Sequence, residues 1–146
     1  MINIKHELEV AKRASEIAGA LLIDNKDNIN KILSNEGRDV KLKADLESEK
    51  VIKEYLLANS NFPILAEESG ANQDLGNSFW VVDPLDGTSN YSRDFPICCI
   101  SIALIHENEI TLGVINDFNR GSLYEGSIDS KAKLNNEDIY VSSIHD

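Results

Sequence analysis

The hydrophobic period of this chain changes once, near residue 60, and that change restricts the fold more than any other feature. Before it, Ile4, Leu8, Ala11, Ala14, Ile17, Ala18, Leu21 and Leu22 recur at helical spacing, with Lys5, Glu9, Lys12, Arg13 and Glu16 on the other face. This pattern predicts an amphipathic helix of about four to six turns. "NKDNINKIL" suggests a further short turn of helix, and "NEGRDVKLKAD" carries turn signals at Asn35 and Gly37 before an extended stretch. A second helix is expected to begin near Asp45. Asp suits an N-cap, Glu47 and Glu49 suit the positive end of the helix dipole, and Val51, Ile52, Tyr55 and Leu56 form the inner stripe.

Beyond residue 60 the apolar runs shorten. "FPILAEE", "FWVVD", "ICCISIALI", "ITLGVIND", "GSLYEGS" and "DIYVSS" read as strands. The polar stretches "SGANQDLGNS", "HENE", "FNR" and "IDSKAKLNNE" read as the connections between them. Two N-terminal helices packed on a mostly antiparallel sheet make an α+β fold, expected as a single domain over 1–146. At 146 residues and 42% hydrophobic content the chain is long enough for one core.

The net charge of −11 disfavours nucleic acid and anionic membrane surfaces as partners, because no run of Lys and Arg offsets it. No stretch reaches the roughly 18 consecutive apolar residues of a membrane span. The start, "MINIKHELEVAKR", lacks the apolar centre of a signal peptide, so a cytoplasmic protein is expected. Cys98 and Cys99 are adjacent, which disfavours a relaxed disulfide between them, and they read as small apolar strand residues. His6, His106 and His145 are scattered and are assigned no role.

The chemistry concentrates in "WVVDPLDGTSN", Trp80 to Asn90. Asp83 falls where a buried strand leaves the core, and Pro84 cannot extend a sheet ladder. A turn there brings Asp86 back toward Asp83 with the Leu85 carbonyl between them. Gly87 permits close backbone approach, and Thr88 and Ser89 can begin a helix with outward N–H groups. Oxygen donors on one side and N–H groups on the other suit a hard cation beside a phosphate. An Asp-Pro turn with an Asp cap explains the same residues without any ligand. A calcium hand is rejected, because Gly87 is fifth and Asp94 twelfth when counted from Asp83. A phosphate-cradling G-x-x-x-x-G-K-[ST] is absent. In "ILAEESG", Glu67 and Glu68 end another apolar run. Two neighbouring strands finishing in acids at one edge would bring Glu67 to Asp83 and Asp86.

"AEES" followed by "WVVDPLDGTSNYSRDFPICCISIAL" resembles the inositol monophosphatase family of magnesium-dependent phosphatases. The pattern is Glu-Glu, then W-[IV]-[IV]-D-P-[IL]-D-G-T, then N-[FY]-x-x-x-[FY]-P and an S-I-[AG] strand. "ITLGVINDFNRGSLYEG" is similar as well, so the likeness covers the whole chain. The resemblance implies the fold of that family's N-terminal domain and a Mg²⁺ cofactor. It implies metal ligation by Glu67, Asp83, the Leu85 carbonyl and Asp86, with Asp83 bridging two ions. Gly87, Thr88 and Ser89 would bind the substrate phosphate. Thr88, oriented by Asp45, would position and deprotonate the attacking water, and Glu68 would support the metal ligands. The implied reaction is hydrolysis of a phosphate monoester by metal-activated water.

One departure is large. The family runs nearly twice this length, and its second half carries a W-D-x-A-type motif whose Asp completes the second metal site. Trp80 is the single tryptophan here, so that motif is not in this chain. A fragment, one chain of a split enzyme, or a truncated relative are the alternatives. The expected consequences are one well-held Mg²⁺ at most, little activity for the chain alone, and an apolar face left open. "GTSNYSRDFP" resembles the inositol branch more than the nucleotide bisphosphatase branch, so inositol monophosphate is the implied substrate. Fructose-1,6-bisphosphatase or nucleotide bisphosphatase activity, or a non-catalytic interaction module, are the alternatives. The expected partners are a phosphorylated small molecule and either a second copy in a homodimer or a C-terminal half-domain.

Overall fold

The structure is a computed structural model that describes residues 1–36 and 39–143, by backbone alone at 33–36 and 39–41. Gly37 and His145, both singled out in the sequence, lie outside the described residues. Helix α1 spans Ile4–Asp24 and opens on Asn3, whose side chain accepts the His6 N–H at 3.1 Å. Leu8, Ala11, Ala14, Ala18 and Leu22 are its buried stripe, as their spacing predicts. At Gly19 an added Cβ would stand 3.0 Å from Asn116 and Phe118, so the missing side chain sets how closely α1 approaches the sheet. A buried ion pair, Lys12 Nζ to Glu125 at 2.6 Å, ties the same helix to a distant strand.

After α1 comes the short helix α2, Lys26–Ile29, then an antiparallel hairpin of β1, Ile32–Glu36, and β2, Asp39–Leu42. Helix α3 spans Lys43–Asn59. It begins two residues before Asp45, so Asp45 is not the N-cap the sequence suggested. Asp45 caps from inside the first turn instead, its Oδ2 accepting the Leu42 N–H at 2.8 Å.

The main sheet has eight strands: β3 Ile64–Ala66, β4 Gly70–Ala71, β5 Phe79–Asp86, β6 Cys99–His106, β7 Glu109–Asp117, β8 Ser122–Ser127, β9 Ser130–Leu134 and β10 Glu137–Asp138. Their spatial order is β10-β9-β8-β7-β6-β5-β3-β4. Neighbours are antiparallel except β3 and β5, which run parallel. A one-turn helix, α4, Thr88–Ser92, links β5 toward β6. The sequence misplaced the last strand. The chain forms β9 and β10 inside "IDSKAKLNNE", and "DIYVSS" adds only its first residue to β10. Tight turns explain this, with Asn135 and Asn136 both at positive φ between the two strands.

Helices α1 and α3 pack together on one face of the sheet. Trp80 and Val82, Ile100, Ile102 and Leu104, and Leu112 and Val114 alternate inward and are buried, as a half-covered sheet requires. Each such side chain contributes about 1.5–3 kcal/mol of burial free energy. Trp80 is fully buried, and its indole N–H donates to Ser60 Oγ at 3.0 Å, so no polar atom of the ring is stranded. On the opposite face Ile115 and Tyr124, directly paired across β7 and β8, are exposed, as are Ile139 and Tyr140. Among the described residues no helix is long and apolar enough to cross a membrane.

Candidate functional site

The parallel register of β3 and β5 builds the site. Ala66 lies opposite Val82, so Glu67, the first residue past the end of β3, comes beside Asp83, which is still on β5. The Glu67 N–H donates to the Val82 carbonyl at 3.1 Å and extends the ladder to that point. The two carboxyl groups are close enough for each to shift the other's titration. Partial burial first, then the Asp83 hydrogen bond and charge, push the Glu67 carboxyl up to about 7. Burial also holds the Asp83 carboxyl above its ordinary range, and the Asp86 charge adds to this. Two carboxylates this close resist double ionisation, which raises the pair.

Pro84 does not end the strand. Asp83 pairs with Ser101 and Asp86 with Cys99, so three steps on β5 face two on β6. The extra residue is a bulge, and β5 continues through it to Asp86. The Ser48 hydroxyl donates to the Pro84 carbonyl at 2.7 Å, and the Leu85 N–H donates to Asp83 Oδ1 at 3.2 Å. Asp86 is left exposed, 3.9 Å from the Cys99 thiol. Burial, followed by the Asp86 charge, pushes that thiol up to about 11, so it stays protonated and is no nucleophile. A cavity of about 330 Å³ opens beside Asp86 and Gly87, with Asn90, Cys99, Asp117 and Tyr124 in its walls.

Gly87 has φ +89°, and an added Cβ would lie 2.7 Å from the Ile97 carbonyl oxygen. Only glycine combines that dihedral with that approach. The chain then enters α4, whose first turn holds Thr88 and Ser89. The Thr88 hydroxyl lies 2.8 Å from Asp45 Oδ1 and 3.0 Å from the Leu85 carbonyl oxygen. Asp45 is 1% exposed, and burial raises its pKa; the Thr88 and Leu42 hydrogen bonds partly offset this, while the Glu68 charge adds to it. The Glu68 N–H donates to Glu49 Oε2 at 2.8 Å.

The candidate site residues therefore gather at the end of β3 (Glu67, Glu68), along the end of β5 (Asp83, Leu85, Asp86), at the start of α4 (Gly87, Thr88, Ser89) and on the first turn of α3 (Asp45). Glu67 and Asp83 are in contact, and Asp86 and Glu68 act on Asp83 through charge. Among the described residues no three His, Cys, Asp or Glu side chains are gathered tightly enough to hold a metal ion. The donor chemistry nevertheless fits a hard divalent cation: carboxylate oxygens and a backbone carbonyl, with a repulsion between carboxyl groups that a cation would relieve. Two histidines are engaged elsewhere, His6 Nε2 with the Asn59 carbonyl at 3.0 Å and His106 Nδ1 with Ser78 Oγ at 3.1 Å. Sequence reasoning did not single out Ser48 and gave Glu49 only a helix-dipole role; the structure places both as polar residues on the buried face of α3.

Comparison with known proteins identifies the family. The profile of the inositol monophosphatase family matches residues 3–146. An inositol-1-monophosphatase of Synechocystis is 35% identical over 140 residues, covering 93% of this chain and 48% of its own length. A protein of Xylella fastidiosa named Nus factor SuhB is 38% identical over 147 residues, covering 97% of this chain and 52% of its own length. The solved structure of an inositol monophosphatase from Anabaena superposes with a TM-score of 0.81 at 31% identity, covering 98% of this chain and 52% of that one. The chain thus spans about half the length of the curated relatives it matches. With the motif, the sheet topology and these likenesses in agreement, the chain belongs to the inositol monophosphatase family, a family of phosphatases.

Proposed function

We propose that this chain is the metal-binding N-terminal half of a Mg²⁺-dependent phosphomonoesterase acting on inositol monophosphate. The observation that carries the reading is the Glu67–Asp83 carboxyl pair, held in contact by parallel strands beside Asp86 and the Leu85 carbonyl. Glu67, Asp83, Asp86 and the Leu85 carbonyl oxygen are the groups that would hold the ion. A bound Mg²⁺ would supply charge neutralisation for a dianionic phosphate and acidify a water.

The chain's own residues do the rest. The Gly87 N–H and the first N–H groups of α4, on Thr88 and Ser89, would bind the phosphate. Thr88 orients the attacking water through its hydroxyl oxygen, because its proton is committed to Asp45 Oδ1. Asp45, made more basic by burial, receives the proton that Thr88 passes on as it takes one from water. Glu68 adds negative charge beside Asp45 and favours that transfer. The cavity beside Asp86 has room for the alcohol. The contacts that select the alcohol, and an acid completing a second metal site, would come from a C-terminal half-domain. A cytoplasmic setting accords with the sequence.

The test is phosphate binding followed by ³¹P line width, with and without Mg²⁺. Mg²⁺-dependent broadening, lost in Asp86→Asn, supports the reading; equal broadening with EDTA contradicts it. A second reading, a non-catalytic interaction module, is favoured by the exposed Ile115–Tyr124 face. Under it Asp86→Asn changes neither metal nor phosphate binding.

A further inference from the structure

Three polar side chains on one face of α3 each hold a different piece of backbone or side chain at the site. Asp45 accepts from the Thr88 hydroxyl, Ser48 donates to the Pro84 carbonyl, and Glu49 accepts the Glu68 N–H. The spacing is i, i+3, i+4, which places them together. Glu49 is the least expected of the three. It is 4% exposed and sits where the stripe of Ile52 and Leu56 calls for an apolar residue. A carboxylate there is costly unless it is paired and hydrogen-bonded. Glu49 is both: Oε2 accepts the Glu68 N–H at 2.8 Å, and Oε1 lies 3.8 Å from Lys53 Nζ. Lys53 in turn donates to Ser69 Oγ at 2.7 Å.

The Glu49–Lys53 pair therefore brackets the segment that follows β3. On its N-terminal side, Glu67 is anchored by its N–H on the Val82 carbonyl. On its C-terminal side, Glu68 is anchored by Glu49. With the peptide links on both sides of Glu67 held, the backbone at Glu67 is restrained and its Cα–Cβ bond is directed toward the Asp83 side. We propose that Glu49 is a positioning residue: it clamps the Glu68 amide and so aims the Glu67 carboxyl at Asp83. The magnesium reading above enters through one of its two readouts.

The experiment compares the full chain with Glu49→Asp and Glu49→Gln. Asp keeps the charge but falls one methylene short of the Glu68 amide, whereas Gln loses the charge but still presents an oxygen there. Glu68 amide exchange is measured against that of Ile102 in the sheet core, and Mg²⁺ affinity by calorimetry. The expected result for Glu49→Asp is Glu68 exchange faster by about ten-fold or more, with Ile102 unchanged, and Mg²⁺ affinity lower by about 10–100-fold, the range seen for outer-shell partners. Glu49→Gln keeps Glu68 protected and retains most of the affinity. The opposite ranking, with Glu49→Asp like the parent and Glu49→Gln impaired, would show that charge rather than reach matters and would overturn the proposal. Unchanged Glu68 exchange in Glu49→Asp overturns it as well. If the parent chain binds no Mg²⁺, the magnesium reading fails by itself, and the exchange contrast still decides the role of Glu49.

Discussion

The Thr88 hydroxyl donates to Asp45 Oδ1 at 2.8 Å, joining residues 43 positions apart in the chain. The bond ties the first turn of α3 to the exit of β5, the two elements that carry most of the site. It also gives a buried carboxylate one of its few donors, since the other oxygen of Asp45 is taken by the Leu42 N–H.

Removing that donor should be felt in stability. Thr88→Ala leaves Asp45 under-satisfied and costs about 1–3 kcal/mol. For a chain of this size that corresponds to a melting temperature lower by about 3–9 °C. Thr88→Ser, which keeps the hydroxyl, should recover most of it. Differential scanning calorimetry of the three proteins measures the ranking.

Stability should also depend on pH in a metal-dependent way. Glu67 is pushed up to about 7, and Asp83 and Asp45 are raised as well. An acid whose folded pKa exceeds its unfolded one binds more protons when folded. Its contribution is complete below its unfolded pKa and disappears as pH rises through the folded value. In EDTA the melting temperature should therefore fall from about pH 4.5 to about pH 7. Mg²⁺ should restore much of the loss at pH 8, above the raised Glu67 value. Glu67→Gln should flatten the decline, and thermal melts across that pH range follow it directly.

Gly87→Ala should be among the most damaging single-methyl additions in the chain. The new Cβ would lie 2.7 Å from the Ile97 carbonyl oxygen at φ +89°. Backbone strain contributes about 1–3 kcal/mol, and the clash adds to it. Urea unfolding should show a midpoint well below that of Gly126→Ala, whose added Cβ meets only Ala132 Cα at 4.0 Å.

Much of this arrangement was legible in the residues. The period of Leu8, Ala11, Ala14 and Ala18 located α1, because a helix that buries one face writes its spacing into the chain. Two apolar runs ending in acids foretold the meeting of Glu67 and Asp83, because parallel neighbours carry their register past the strand ends. Less was legible where tertiary contacts override local signals. Pro84 reads as a stop, yet the bulge absorbs it because the Ser48 hydroxyl satisfies its carbonyl. Asp45 reads as a cap, yet Leu42 starts the helix earlier and leaves Asp45 free to hold Thr88. "KAKL" does alternate polar and apolar residues, but the run is short and lies in a polar stretch, so it reads as a connection; it becomes β9 because β8 offers an edge and the Ser127–Ser130 turn returns the chain to it. Glu49 is a buried carboxylate whose partner is a backbone amide 19 residues away, a relation no local pattern encodes.

The most direct measurement of the account is calorimetric titration of Mg²⁺ into the chain at pH 6.5 in two buffers of different ionisation enthalpy. With the Glu67 carboxyl pushed up to about 7, an ion bound there at pH 6.5 should displace a proton. The account predicts one Mg²⁺ per chain bound with proton release, and loss of both signals in Asp83→Asn. Absence of binding by the parent chain, or undiminished binding by Asp83→Asn, would contradict it.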